Sequence, residues 1–285
     1  MYEVAARIAF QDPFTYDAAA TRDLVEGYLK PGINVITVEW FSGVIGYKSF
    51  NTLETARRLW ETFPDATILL ILRNQVDFAY SSYKQHIHQG GALSLNEYFN
   101  FKGNRIQTGF DYDSFRFDDH KMYWNSLLYS HLIKAYEPFS QKQRLRLFLF
   151  EQFRQSPQDF AVRLLEVMGI DVDLGIFDFT PINRGYGRRQ IGIARFLNRL
   201  VYSPYNQIGI KPVPWFGKTG TLQATHVRHV LQSGFSFKLL GNKSIRHKAM
   251  NGLIREYYME DNRKILEHLD DRDREIFRRS YLSFN

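Results

Sequence analysis

Arg73 and Ser81 are the side chains whose types and spacing most directly suggest chemistry in this 285-residue chain. An apolar run, Ile68–Leu72, stops abruptly at the arginine, and the serine follows eight positions later. A planar guanidinium with a hydroxyl close by is a phosphate clamp, because the fork of N–H donors matches the phosphate oxygens. Two kinds of proton acceptor accompany the clamp. Glu39 closes the apolar stretch Asn34–Trp40 with a carboxylate, and His86 and His88 carry imidazoles whose neutral forms accept a proton near pH 7. The histidines differ by two positions, so on a helix at most one of them enters a given cleft.

The surrounding elements must place these groups. Pro64-Asp65 before the run and the arginine after it bound a segment too short for a helix and without helical period. It reads as a strand over 67–73, buried on both faces as in a parallel sheet. Apolar and aromatic residues at 76, 79, 80, 83 and 87 predict a helix over 76–88. Arg73 then stands at the carboxyl end of a strand, the edge where open α/β sheets bind ligands. Expected strands over 34–40 and 144–150 would bring Glu39 and Phe150 to that same edge. Helices are expected over 18–29, 52–63, 95–101, 118–136 and 157–168. Ser94 with Glu97 is a capping-box start. Ser156-Pro157 is an N-cap followed by proline at the first helical position, and Gly169 is a C-terminal stop. Strands alternating with helices imply an α/β fold with right-handed crossovers. Length fits one domain over 1–285, with a core at about 33–180 and a helical part at about 181–285. The irregular stretches 102–117 and 202–224 are long enough to serve as lids.

The segment Ala66–Tyr83 resembles the 3′-phosphate-binding motif of sulfotransferases that use 3′-phosphoadenosine-5′-phosphosulfate (PAPS). Leu145–Asp171, with its strand, aromatic-Glu turn and Pro-started helix, is similar to another segment of that family. Lys248–Leu269, carrying Tyr258-x-x-Asp261-Asn262, resembles the C-terminal helix of its bacterial members. The order of these segments is consistent over about 33–270. The resemblance implies a three-layer, P-loop-like parallel sheet flanked by helices, with extra C-terminal helices. It further implies sulfuryl transfer from PAPS to a hydroxyl or amine of a small-molecule acceptor, with adenosine 3′,5′-bisphosphate as product. Arg73 and Ser81 would grip the 3′-phosphate, and Arg184 and Arg188 would reach it from the Asn183–Arg189 segment. Phe150 either stacks on the adenine or fills the core. Glu39 takes the base role that a glutamate has in some branches, and His86 is the alternative. The aromatic residues Trp40, Phe41, Tyr47 and Tyr123 are expected around the acceptor. No metal is required.

One family signature does not appear, the Lys-Ser/Thr-Gly-Thr-Thr loop that holds the 5′-phosphosulfate. Gly43–Ser49 and Phe216–Thr221 imitate it, the first with the wrong glycine spacing and the second after Lys211-Pro-Val-Pro. The loop is expected upstream of Met1; otherwise the chain is a nucleotide-binding homologue with impaired transfer.

Composition narrows the remaining classes. Cysteine is absent, which excludes disulfides and thiolate metal sites. No run approaches the ~18 apolar residues of a membrane span, and a cytoplasmic address is expected. The net charge is +7, and aromatics reach 16%. A nucleic-acid binder is the competing basic, aromatic-rich class, but no nucleic-acid motif is present. A P-loop kinase would need a Walker loop and an acidic magnesium ligand, and neither is seen.

Overall fold

A computed structural model describes residues 2–43, 49–103, 105–107, 121–141, 143–171, 173–180, 185–207, 231, 234–241 and 243–283. In chain order the helices are α1 (Tyr2–Phe10), α2 (Ala18–Glu26) and α3 (Thr52–Thr62), followed by strand β1 (Ile68–Leu72). Then come α4 (Gln75–His88), α5 (Leu95–Phe99), the short strands β2 (Phe101–Lys102) and β3 (Arg105–Ile106), α6 (Tyr129–Ala135) and α7 (Glu137–Gln141). Strand β4 (Leu145–Leu149) leads into α8 (Phe150–Gln155) and α9 (Pro157–Met168). The remaining helices are α10 (Arg188–Asn198), α11 (Gly234–Leu240), α12 (Lys248–Ile265) and α13 (Asp271–Phe277). The chain forms two compact units: the first comprises Met1–Asn74, Thr108–Phe179 and Tyr257–Asn285, the second Gln75–Gln107 and Thr180–Glu256.

The first unit is built on β1 and β4, which pair in parallel from Ile68↔Leu145 to Leu72↔Leu149. Ile68, Leu70, Leu145 and Leu147 share one face and meet Val4, Ile8, Val25, Ala56, Leu59, Tyr136 and Phe139 from the surrounding helices. Burying each such aliphatic side chain contributes about 2 kcal/mol. On the opposite face Phe148 lies against Phe160 of α9, at 5.6 Å between ring centroids. Arg58 of α3 is only 1% exposed, yet it is satisfied. It donates to the carbonyls of Arg7, Ile8 and Gln11 at 3.1, 3.2 and 2.7 Å, and to Glu54 at 2.7 Å. These carbonyls lie in and just past the last turn of α1, where helical donors run out, so the arginine staples α1 to α3.

Parallel strands and intervening helices therefore bear out the mixed α/β expectation, while two strands make up this sheet among the described residues. The strand expected over 34–40 is not formed. Its apolar residues find no ladder partner among the described residues, and Ile33 and Val35 are each 55% exposed. Asn34 also diverts local backbone groups: its side chain accepts from Lys30 N at 3.0 Å and donates to the carbonyls of Lys30 and Gly32. The helix expected over 118–136 is shorter as well. A 3-10 turn, Trp124–Leu127, is separated from α6 by Leu128, whose backbone is extended; residues 118–120 lie outside the described residues.

In the second unit α4 is the central element. Tyr80, Tyr83, Ile87, Tyr98, Phe99, Tyr186, Ile191 and Ala194 form its buried interior. The capping box at Ser94 and Glu97 is present, with both of its reciprocal hydrogen bonds. Asn198 of α10 donates to the carbonyls of Ile87 and Gly91, each at 2.8 Å, tying α10 to the end of α4.

Candidate functional site

At the carboxyl end of β1 the backbone is held on both sides of Arg73. Tyr129 donates its hydroxyl to the Arg73 carbonyl at 2.5 Å. Burial raises the Tyr129 phenol well above its ordinary range, so it stays a proton donor. The next amide, Asn74 N–H, donates to Glu151 at 2.9 Å, and the same buried carboxylate accepts from the Tyr281 hydroxyl at 2.6 Å. The Asn74 side chain donates to the Ser280 carbonyl. With its main chain clamped in this way, half-buried Arg73 lays its guanidinium over the Phe150 ring, 4.7 Å from the centroid. Phe150 stands there because β4 ends at Leu149 and α8 begins. Stacking occupies the face of a guanidinium and leaves its N–H donors in plane, the plane in which a phosphate is gripped.

In the second unit, described by itself, Ser81 is half-buried on α4. Asp77, Tyr80, Ser81, Lys84 and His88 recur at three- and four-residue spacing, which puts them on one helix face. Two stretches of chain run along that face. Arg246 ion-pairs with Asp77, and His247 N–H donates to the Tyr80 hydroxyl at 2.9 Å. Burial raises the Tyr80 phenol, against a smaller opposing effect of the His247 amide and Arg246. Tyr186 meets the His88 ring edge-on at 4.0 Å. Gly185 lies so close to Lys84 that a Cβ there would come within 3.2 Å of its Cδ and 3.3 Å of its Nζ. The two stretches are joined by Arg188 N–H donating to the Lys243 carbonyl at 2.9 Å. The result is a face that carries a hydroxyl, an ammonium and the Arg246–Asp77 ion pair, with a positive balance of charge.

The sequence profile of the Sulfotransferase family matches residues 1–173. The chain belongs to the sulfotransferase family. No curated protein matches it. Among solved structures, the crystal structure of a sulfotransferase from Alicyclobacillus acidocaldarius is 25% identical, with a TM-score of 0.36. That match covers 47% of this chain and 51% of the other, so the chain spans about half the length of that solved protein.

Within the chain the expected site residues fall into three groups. Arg73 and Phe150 are brought together in the first unit, the aromatic ring serving as a platform for the guanidinium. Ser81 and Arg188 lie in the second unit, Arg188 exposed at the start of α10 with Gly187 before it. Arg184, Tyr47, Lys48 and the Phe216–Thr221 loop lie outside the described residues.

The third group comprises the proton acceptors. Glu39 does not end a strand; it opens the 3-10 turn Glu39–Ser42, is exposed, and has no ion-pair partner among the described residues. The reason is the missing ladder over 34–40. His86 is 5% exposed and packed between Tyr98 and Tyr205, with ring centroids at 5.0 and 4.7 Å. Gly91 presses on it, since a Cβ there would stand 2.1 Å from the imidazole Nε2. Trp40 meets Phe10 and Tyr123 meets Phe50, both edge-on, while the Phe41 carbonyl accepts from Tyr136. Sequence reasoning missed Lys84, Tyr129 and Glu151. Lys84 was within reach, three residues after Ser81 on the same helical face; Tyr129 and Glu151 act through bonds to residues more than fifty positions away.

Proposed function

We propose that this sulfotransferase uses PAPS as sulfuryl donor and a small molecule bearing a hydroxyl or amine as acceptor. The observation that carries the reading is the immobilised Arg73 guanidinium on Phe150 at the end of a parallel strand. In this reading Arg73 and Ser81 bind the 3′-phosphate, Arg188 and Arg184 add charge to it, and Phe150 sets the plane of the guanidinium. The three-layer, P-loop-like arrangement belongs to the same proposal. In transfer, the acceptor oxygen or nitrogen bonds to sulfur as the bond between sulfur and the bridging phosphate oxygen breaks. The acceptor proton passes to a base, and the leaving adenosine 3′,5′-bisphosphate keeps the electron pair. Exposed Glu39 is better suited to take that proton than His86, whose ring is enclosed by aromatic side chains.

Thermal unfolding with nucleotides tests the donor. Adenosine 3′,5′-bisphosphate is expected to raise Tm well above the shift given by 5′-AMP, and Arg73→Ala to erase the difference. Equal shifts from the two nucleotides in the wild-type chain would remove the 3′-phosphate assignment. Labelled PAPS with hydroxyl and amine acceptors then separates transfer from binding alone, the outcome expected of an impaired homologue.

A further inference from the structure

Helix α10 presents a surface that neither the nucleotide nor the acceptor explains. Its inner side, Gln190, Ile191, Ala194 and Asn198, is buried, and Asn198 fixes it to the end of α4. Its outer side carries Ile193 at 38% and Phe196 at 62% exposure, and Leu200, in the turn that follows, is 43% exposed. Arg189, Ile193, Phe196 and Leu200 recur at four-, three- and four-residue steps, so they form one stripe. Arg199 is exposed beside it. The neighbouring α11, which packs on α10, adds exposed Lys238 and Leu239, the latter 66% exposed.

The segment that carries this stripe is strongly basic in sequence, and Glu97 of α5 is a carboxylate near enough to feel Arg195 and Arg199. Residues 180–256 contain thirteen lysines and arginines against a single acid, Glu256. A helix with large apolar residues flanked by arginines and no carboxylate has the make-up of an element that lies in a membrane interface. The aliphatic residues Ile193 and Leu200 favour insertion among acyl chains over base stacking, which calls for aromatic platforms. A second copy of this chain would bring like charges together.

We propose that the outer face of α10 docks this protein peripherally on anionic lipid. Phe196, Ile193 and Leu200 enter the headgroup boundary while Arg189 and Arg199 meet the lipid phosphates and carboxylates. This goes beyond the sulfuryl-transfer reading and does not depend on it. No helix among the described residues is long and apolar enough to cross a membrane. Attachment through an interfacial helix face and its arginines is reversible and sensitive to salt.

The test is co-sedimentation of the full chain with vesicles of phosphatidylcholine alone or mixed with phosphatidylserine. The protein is expected to pellet with the mixed vesicles and to remain in solution with phosphatidylcholine alone. Ile193→Ser with Phe196→Ser should weaken binding by about tenfold or more. Arg189→Gln with Arg199→Gln should weaken it by about thirtyfold and flatten its salt dependence. Lys102→Gln with Arg105→Gln, an equal charge loss at exposed positions off the helix, should leave binding unchanged. All six positions are exposed, so circular dichroism and Tm should match the wild type and show that folding is kept. Failure to pellet with mixed vesicles overturns the proposal, as does equal weakening by the control pair. So does full binding by both α10 variants. Retention of a single-stranded oligonucleotide without vesicle binding would assign the face to a polyanion instead.

Discussion

The two units of this chain handle charge in opposite ways. The first carries twenty-one lysines and arginines against twenty-seven acids, a net of −6; the second carries sixteen against three, a net of +13. In the first, cations are consumed by structure. Arg58 caps the end of α1, and Arg163 of α9 donates to Asp273 at 2.7 Å and to Asp270 at 2.8 Å while lying over Phe148. In the second, the interior is aromatic, and arginines such as Arg188, Arg189 and Arg199 are exposed. Self-repulsion among so many like charges opposes folding. A fold has no need of that excess; an anionic partner does. The family match ends at residue 173, so most of the basic excess lies beyond it.

The largest expected effect probes paired charge in the first unit. Arg163→Ala removes the cation from Asp273, whose side chain is 2% exposed and keeps the Gln152 amide as donor, and should cost about 3 kcal/mol in urea unfolding. A loss under about 1 kcal/mol would show that these pairs are dispensable and would blur the contrast between the units. In the second unit the matching test is steric. Gly91→Ala drives a methyl group into the His86 imidazole, and an expected loss of about 2 kcal/mol should appear as a lower Tm with little dependence on salt. Marked rescue by salt would mean that charge, rather than packing, governs that region.

The smallest effect is the most specific. Hydrogen bonds from Arg57 and then Arg58, against the cost of burial, hold the Glu54 carboxyl down at about 2. Because its folded value is depressed, its contribution is full above about pH 4.5 and fades as pH falls towards 2. Glu54 is partly exposed, so solvent screening limits that contribution to about 1 kcal/mol. Glu54→Gln should therefore lose about 1 kcal/mol at neutral pH and show a flatter stability profile between pH 4.5 and 2. An unchanged profile would assign acid sensitivity to other carboxylates.

Local chemistry alone determined a good part of this protein. The apolar runs ending at Arg73 and Phe150 became the paired parallel strands. Ser94 with Glu97, Ser156 with Pro157, and Gly169 in its left-handed conformation delimit helices where the residues require them. Such features are legible because the groups that satisfy one another lie within a few positions along the chain.

What tertiary structure decided is what depends on distant partners. Asn34–Trp40 has the composition of a strand, yet among the described residues it finds no neighbour to pair with, and Glu39 sits on an exposed turn instead. Arg73 was recognisable from its neighbours in sequence, but its plane is set by a ring seventy-seven positions away and its backbone by Tyr129 and Glu151. The outward side of α10 likewise follows from Asn198 reaching the carbonyls at the end of α4. Periodicity predicts that a helix has faces; only long-range hydrogen bonds and packing choose which face meets water.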